Sequence, residues 1–428
     1  MARRIQNFET LAENELRTDA LSIAEAGYAA IDIGTALARS LTIEHDTLYI
    51  AGKEYPLTGR HIFFVGVGKC AFSAAAVIEQ TLGERLTSGI ALDVSLLETP
   101  LAKVEMLVGT HPLPSEINET ATKRILDFLA GRTENDLVIM LISGGGSTLL
   151  CAHTAPMTCI DESTLWNELT AKGATIQEIN TVRKHTSRAR GGGLAFAAYP
   201  AEVISLIVSD VPGNAIAYIA SGPTVLDAST VADAQEVLAK YGITSDTTTL
   251  IETPKEPIHF ERVTNTLFLS NTNALEAMQS EAKKRGYAAD IITDRFVGEA
   301  HAIGRAITET LHVAPPKTAL LCAGESTVAL TGEHGEGGRD QEIALAALLE
   351  IRDDELILPF SSDGRDNTDH AGAIGDSTTR AHALAQNLSV EEHLAQHRSY
   401  DFFKTSGDAL HTGYTGTNVS DLIVALKK

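Results

Sequence analysis

The chain predicts an α/β protein of two domains, and three observations carry that expectation. Leu137-Val-Ile-Met-Leu-Ile142 is an unbroken apolar run, closed by Ser143-Gly144-Gly145-Gly146-Ser147. This is the pattern of a strand buried on both faces, as a parallel sheet requires, ending in a turn. Strand-like and helix-like stretches alternate on both sides of it. Between 243 and 263 that regularity lapses, through Ser245-Asp-Thr-Thr-Thr249 and Thr253-Pro-Lys-Glu-Pro257, and then restarts. The expected division is 1–255 and 256–428.

Composition narrows the function before any motif is read. The chain has 428 residues, enough for two or three domains with sizeable cores. Hydrophobic residues make up 44% and charged residues 21%, which are globular values. A formal net charge of −22 argues against nucleic acid or an anionic membrane as partner. It also means that an anion can be held only where the few cations gather, so lysines and arginines beside glycines matter most. Cys70, Cys151, Cys159 and Cys322 have no CxxC and no metal spacing, and read as buried free thiols of a reducing cytosol. Met1-Ala-Arg-Arg turns polar at once and no apolar run approaches the roughly 20 residues of a membrane span, so the expected location is cytoplasmic.

Taken in order, residues 8 to 40 have helical spacing and predict a long helix or helix pair. Arg60 to Val67 is a strand, and Gly66, Gly68 and Ala71 fit the loose G-x-G-x-x-G/A turn of dinucleotide sites. Lys69, just past that turn, can reach a phosphate, although most lysines are solvated surface. Gly89–Ser95 and Val104–Thr110 are further strands, followed by His111 in a loop and a helix from Ser115, its N-cap, to Arg132. The central turn at Ser143–Ser147 lets backbone approach a ligand, and a helix starting near Thr148 would aim free N–H groups at an anion. The bland alternative is a turn that needs glycine for packing. Asp161–Ala171 and Thr175–Val182 read as helices.

Arg183, Lys184, Arg188 and Arg190 then fall within eight residues ahead of Gly191-Gly-Gly193. In so acidic a chain this is an anion contact, an internally paired joint, or a mixture. Glu202–Ser209 is a strand ending on Asp210-Val-Pro-Gly213, where an acid can hold Mg²⁺ or a substrate hydroxyl. Ala220-Ser221-Gly222-Pro-Thr224 is a loop of small donors. Beyond the irregular stretch come strands at Thr266–Ser270 and Ala289–Thr293, with helices opening at Thr272 and Gly298. Thr318–Thr331 reads as two strands broken at Gly324-Glu325. Arg339 follows Gly337-Gly338 as Lys69 follows Gly68, ahead of a helix from Ile343 to Ile351. Glu355–Ser362 leads to Asp363, Asp366 and Asp369, a metal or general-base pattern rather than a plain turn. Its spacing is not that of an EF-hand. Gly413 to Asp421, with Asn418, precedes a last strand at Leu422–Leu426.

These segments together resemble the glycerate 2-kinases of the MOFRL type. The matching stretches are VGVGKC, THPLPSE, LISGGGSTLL, EINTVRKHTS, LIVSDVPGNAIAYIASGPT, TPK, GEA, GGRDQEIALAAL, SSDGRDNTDHAGA and GYTGTNVSDL, in family order over nearly the whole chain. The resemblance implies a larger Rossmann-like N-terminal domain, a smaller C-terminal α/β domain, and an active site in the cleft between them. It implies phosphorylation of D-glycerate at the 2-hydroxyl by ATP with Mg²⁺, giving 2-phosphoglycerate. Lys69 matches the active-site lysine, Arg339 the arginine after Gly-Gly, and Asp210 and Asp363 the strand-end acids, which are the expected metal contacts. Substrate and nucleotide contacts are expected from Gly68, Ser143, Gly144, Gly145, Gly146, Ser147, Arg183, Ser221, Gly222, Thr224, Glu325 and Asn418. The chain departs from the family at Asp340, where asparagine is usual, at Ala323-Gly324-Glu325-Ser326, and at Ser362-Asp-Gly-Arg365-Asp-Asn367. These departures bear on which acid is the acceptor. The expected partners are small molecules, with room for a homodimer.

Phosphoryl transfer needs cations on the phosphates, in-line positioning and a place for the hydroxyl proton. No Walker or protein-kinase motif is present, so the solution would be a separate one. Three rival readings stand beside it. One is a kinase of a related sugar acid. Another is an NAD(P)H-dependent hydroxypyruvate reductase using the Gly66–Ala71 turn, with Asp93 on the ribose. The third is a non-catalytic sugar-acid binder.

Overall fold

The computed structural model describes residues 3–95, 100–211, 213–244, 248–330 and 334–428. Pro212, the 245–247 part of the irregular stretch, and Thr331 lie outside the described residues. The chain forms two compact units, 33–268 and 1–32 together with 269–428. The first 32 residues thus leave the N-terminal domain where the sequence reading placed them. The cause is the helix α1 (Glu15–Ile31), which buries Leu21, Ile23, Ala24, Tyr28 and Ile31 in the C-terminal unit. Its Arg17, fully buried, donates to Asp376 at 2.8 and 2.7 Å and pairs with Asp408 at 2.8 Å. Its Tyr28 hydroxyl donates to the Ser361 carbonyl at 2.9 Å.

Within 33–268, six strands form one sheet: β1 (His61–Val67), β2 (Leu86–Asp93), β3 (Val104–Val108), β4 (Asp136–Ile142), β5 (Glu202–Val208) and β6 (Val263–Leu269). Their order is β3-β2-β1-β4-β5-β6, and the pairs from β3 through β5 are parallel. β4 is buried at every position, as its apolar run requires. The helices used below are α2 (Ala71–Leu82), α3 (Glu116–Leu129), the single turn α4 (Gly146–Leu149), α5 (Cys159–Ala171) and α6 (Ile176–Lys184). Strand β6 closes this sheet, which moves the boundary from 255 to about residue 268. Ser115 stands at the N-cap of α3 with extended backbone, but its hydroxyl does not cap the helix. It meets Thr110 Oγ1 at 2.9 Å instead.

The other unit holds α7 (Asn271–Lys284), β7 (Ala288–Glu299), α8 (Ala300–Val313), β8 (Thr318–Thr327), α9 (Arg339–Ala347), β9 (Glu355–Ser361) and β10 (Asp421–Lys427). The sheet runs β7-β8-β10-β9, continued by the short pieces Gly372–Ala373 and Ala409–Leu410. Strands β7 and β8 are parallel, while β10 is antiparallel to both β8 and β9. Helix α1 lies on α7, where a Cβ on Gly27 would come 2.9 Å from Met278 Sδ. The expected break at Gly324-Glu325 is absent and β8 runs through it. Gly324 is needed there for close approach, since a Cβ would stand 2.2 Å from the Phe296 carbonyl oxygen of β7. Helix α9 starts at Arg339, four residues before the expected Ile343. Among the described residues no helix is long and apolar enough to cross a membrane.

Candidate active site

Within 33–268, β1 and β4 end in register at Val67 and Ile142, so two glycine turns leave the sheet side by side. The turns bond to each other: Ser143 N–H donates to the Val67 carbonyl at 2.9 Å and Lys69 N–H to the Gly144 carbonyl at 3.0 Å. Only glycine permits this. Gly68 has φ +115°, and a Cβ there would stand 2.2 Å from Ser143 Oγ and 2.6 Å from its carbonyl oxygen. A Cβ on Gly144 would stand 2.2 Å from Asp210 Oδ2, and one on Gly145 would stand 3.4 Å from both Lys69 Cγ and His111 Cδ2. The turn therefore brings Lys69, His111 and Asp210 close to its own backbone. His111, from the loop after β3, belongs to this group by position.

The same turn continues into a wall of small polar groups. A Cβ on Gly146 would meet Ala220 Cβ at 2.6 Å. Ser147 Oγ and Ser221 Oγ share a 3.0 Å hydrogen bond, and Ser221 donates on to Asn180 Oδ1 at 2.8 Å. A cavity of about 220 Å³ is lined here by Gly145, Ser147, Asn180, Arg183, Asp210 and Tyr218 among others. The cation cluster divides between internal pairs and the wall of this cavity. Arg190 is buried and donates to both oxygens of Glu162 at 2.7 and 3.1 Å, and Lys184 is paired with Asp227 at 3.1 Å. Arg183 faces the cavity, stacked 3.7 Å over Trp166 and 3.4 Å from Glu162. Burial pushes its guanidinium down to about 10. Thr224 and Gly222 do not line this cavity. Thr224 is buried, donates to Asn265 Oδ1 at 2.6 Å and meets Ser205 Oγ at 3.0 Å. Gly222, at φ +61°, lets the loop pass the Ala217 carbonyl.

Asp93 has a role of its own at the start of α2. Its carboxylate accepts from Phe72 N–H at 3.0 Å and Val94 N–H at 2.6 Å, and burial pushes it up to about 6. The helix amides that a dinucleotide's pyrophosphate would use are thus already engaged by an acid of the chain itself.

In the other unit, Arg339 opens α9 directly after Gly338. It donates to Glu325 Oε1 at 2.6 Å and meets Asp421 through Nε and Nη2 at 2.5 and 3.2 Å. Burial opposes its charge, but Asp421, Glu325 and Asp340 together hold the guanidinium above its ordinary range. Asp421 is buried at the head of β10, and burial pushes it up to about 7 against the pull of Arg339. Asp366 accepts from Asp340 N–H at 3.1 Å and Gln341 N–H at 2.8 Å, so it caps α9. Asp363 accepts from Ser361 Oγ at 2.9 Å and Arg365 N–H at 3.0 Å. Asp340 is wholly buried, and among the described residues neither of its carboxylate oxygens has a hydrogen-bond partner. Burial first, then Asp421 and Asp366, push it well above the carboxylate range. Asn418 Oδ1 accepts from Ser420 N–H at 3.1 Å in the turn before β10.

A second cavity, of about 640 Å³, is lined by Arg339, Glu342, His334, Asn367, His397 and Tyr400 among others. In it the buried Glu342 Oε1 meets His301 Nε2 and His397 Nδ1, each at 2.7 Å. The sequence does not mark Asp421 or this histidine pair as site residues, and it marks Asp340 only as a departure from the family. Glu342 carried a signal, because it lies one helical turn from Arg339 on the same face. Asp421, His301 and His397 carried none, since only the sheet and helix packing bring them close.

Two family models match separate parts of the chain. Residues 19–253 match the domain of unknown function DUF4147, and residues 318–421 match the MOFRL family. The chain is 35% identical to the glycerate 2-kinase of Pyrococcus horikoshii over 96% of its length and 97% of that protein's. It is 37% identical to a putative hydroxypyruvate reductase of Agrobacterium vitis, over 84% and 85%. The crystal structure of a glycerate kinase from Thermotoga maritima superposes with a TM-score of 0.84 at 33% identity, covering 95% of this chain and 98% of that one. With both parts matched by family models and such relatives spanning nearly its whole length, the chain belongs to the MOFRL-type glycerate kinase family.

Proposed function

We propose that the protein transfers the terminal phosphoryl group of ATP to the 2-hydroxyl of D-glycerate, with Mg²⁺, giving 2-phosphoglycerate and ADP. The observation that carries this reading is Lys69 held with Asp210 and His111 over the Ser143–Ser147 turn. Backbone amides, a lysine and a carboxylate in one place suit an anionic substrate that must also lose a proton. In this reading the turn holds an anionic end of a substrate. Lys69 sets positive charge against the phosphates. Asp210 accepts the proton of the acceptor hydroxyl. Hard oxygen donors are what Mg²⁺ takes, and the buried carboxylate of Asp340, which feels the charge of Asp363, fits a positive partner. Asp363 and Asp340 would hold the ion, which when bound neutralises and orients phosphate oxygens.

The reductase reading meets a specific obstacle, the engagement of the α2 amides by Asp93. One experiment separates the readings. The protein is incubated with ATP, Mg²⁺ and a panel of hydroxy acids, ADP is measured, and product is passed to enolase, which consumes the 2-phosphorylated acid. ADP release that depends on D-glycerate and feeds enolase is the expected result, and Lys69→Ala should abolish it without unfolding the protein. ADP released with a longer sugar acid instead, or NADH consumed with hydroxypyruvate, would replace this reading. Binding of glycerate without turnover would leave a binder.

A further inference from the structure

Cys151, His153, Cys159 and Glu119 converge on one point within 33–268, although the cysteine spacing reads as no metal motif. The four offer one ligand atom each, and those atoms all lie within 4.8 Å of one another. Cys151 Sγ and Cys159 Sγ are 3.0 Å apart. His153 Nδ1 is 3.7 Å from Cys151 Sγ and 2.7 Å from Glu119 Oε1. We propose that these four side chains form a structural zinc site, with Cys151 and His153 from the loop after α4, Cys159 from the head of α5, and Glu119 from α3.

The donor set selects the ion. Two sulfurs with an imidazole and a carboxylate suit Zn²⁺, whereas Mg²⁺ and Ca²⁺ take oxygen. Tetrahedral zinc places its ligands about 3.3–3.8 Å apart. The Cys151–Cys159 separation of 3.0 Å and the His153–Glu119 separation of 2.7 Å each lie within an ångström of that range, and His153 Nδ1 is already 3.7 Å from Cys151 Sγ. The sulfurs are well beyond the about 2.05 Å of a disulfide.

Two surrounding features support the assignment. The first is an outer carboxylate on the histidine. His153 Nε2 lies 2.9 Å from Glu162 Oε2, and Glu162 is itself buried and clamped by Arg190. Such a partner fixes the ring and its tautomer, which leaves Nδ1 for a metal. The second is charge balance. Two thiolates and Glu119 carry three negative charges against two on the ion. Glu162 adds one negative charge, and Arg183 and Arg190 bring two positive ones, so the largely buried assembly is neutral. The ion would tie α3, the loop after α4 and α5 together. It would thereby steady Glu162, the acid that also holds Arg183 at the cavity wall.

The test uses the full chain purified under reducing conditions, and its readouts do not involve turnover. Elemental analysis should find about one zinc per chain, displaced by a thiol-modifying mercurial. Replacement by Co²⁺ should give a thiolate-to-cobalt charge-transfer band and the strong visible absorption of tetrahedral cobalt. Cys159→Ser should lose most of the zinc and reduce the band. Glu119→Gln, which keeps both thiols, should weaken retention against a chelator by about tenfold or more. His397→Ala, at the other histidine cluster, should retain the zinc. Wild-type protein that holds no zinc and develops no charge-transfer band overturns the proposal. So does zinc retained in Cys159→Ser but lost in His397→Ala, a Cys151–Cys159 disulfide found under reducing conditions, or chelator competition unchanged in both Cys159→Ser and Glu119→Gln.

Discussion

Lys69 and Arg339 occupy matching places, each one residue past a glycine turn and at or near the head of a helix, yet their surroundings differ. Lys69 stands over a turn built from backbone, where Gly68, Gly144 and Gly145 bring peptide groups, Asp210 and His111 within reach. Arg339 stands among carboxylates: Glu325 and Asp421 bind it directly, and Asp340 lies near it. One feature is shared. The first amides of α2 are engaged by Asp93 and those of α9 by Asp366. Those amides are not free for a phosphate, which directs the tests below to the cationic side chains beside them. The difference teaches that a backbone site is written in glycines, whereas a charge site is assembled by packing.

Removing the cation from the carboxylate-rich side should have the largest effect. Arg339→Ala is expected to lower kcat by about 10²–10³-fold, roughly 3–4 kcal/mol, as for other charge clamps. Arg339→Lys should not restore it, because the contact to Asp421 uses two nitrogens of the guanidinium fork. Loss of melting temperature with unchanged kcat would make Arg339 a structural residue. Next in size is a stability effect at Asp93. Burial raises its pKa from 3.8 to about 6, so the folded chain holds a proton that the unfolded chain releases in that window. The stabilisation is full below about pH 4 and is lost as pH rises through 6, an amount on the order of 3 kcal/mol. Urea unfolding of Asp93→Asn should lack that slope, and an unchanged slope would show that another group carries it.

Gly144→Ala tests the backbone side. The added methyl meets the mobile end of Asp210, so the carboxylate must swing away while the fold survives. We expect kcat to fall about 10²-fold, the scale of a displaced reacting group, with little change in melting temperature. Equal activity would remove Asp210 from the reaction. The smallest effect belongs to Thr224→Val, which deletes buried hydrogen bonds to Asn265 and Ser205. It should cost about 1–2 kcal/mol of stability and leave kcat/KM unchanged. A raised KM would return Thr224 to the binding surface.

The sequence alone determined the α/β class, the buried central strand and the glycine turns, because burial on both faces and close backbone approach each demand particular residue types at adjacent positions. It also marked Lys69, Arg339, Asp210 and Asp363, since each lies within a few residues of such a turn or strand end. It misplaced the first 32 residues, the break in β8 and the domain boundary. In those cases a helix, a glycine and an edge strand answered to partners far along the chain. Only the tertiary structure placed Asp421 on Arg339, Asp93 and Asp366 on helix amides, and Glu119 beside Cys151, His153 and Cys159. Such neighbours are joined by sheet register and helix packing, which act through space and leave no mark in local spacing.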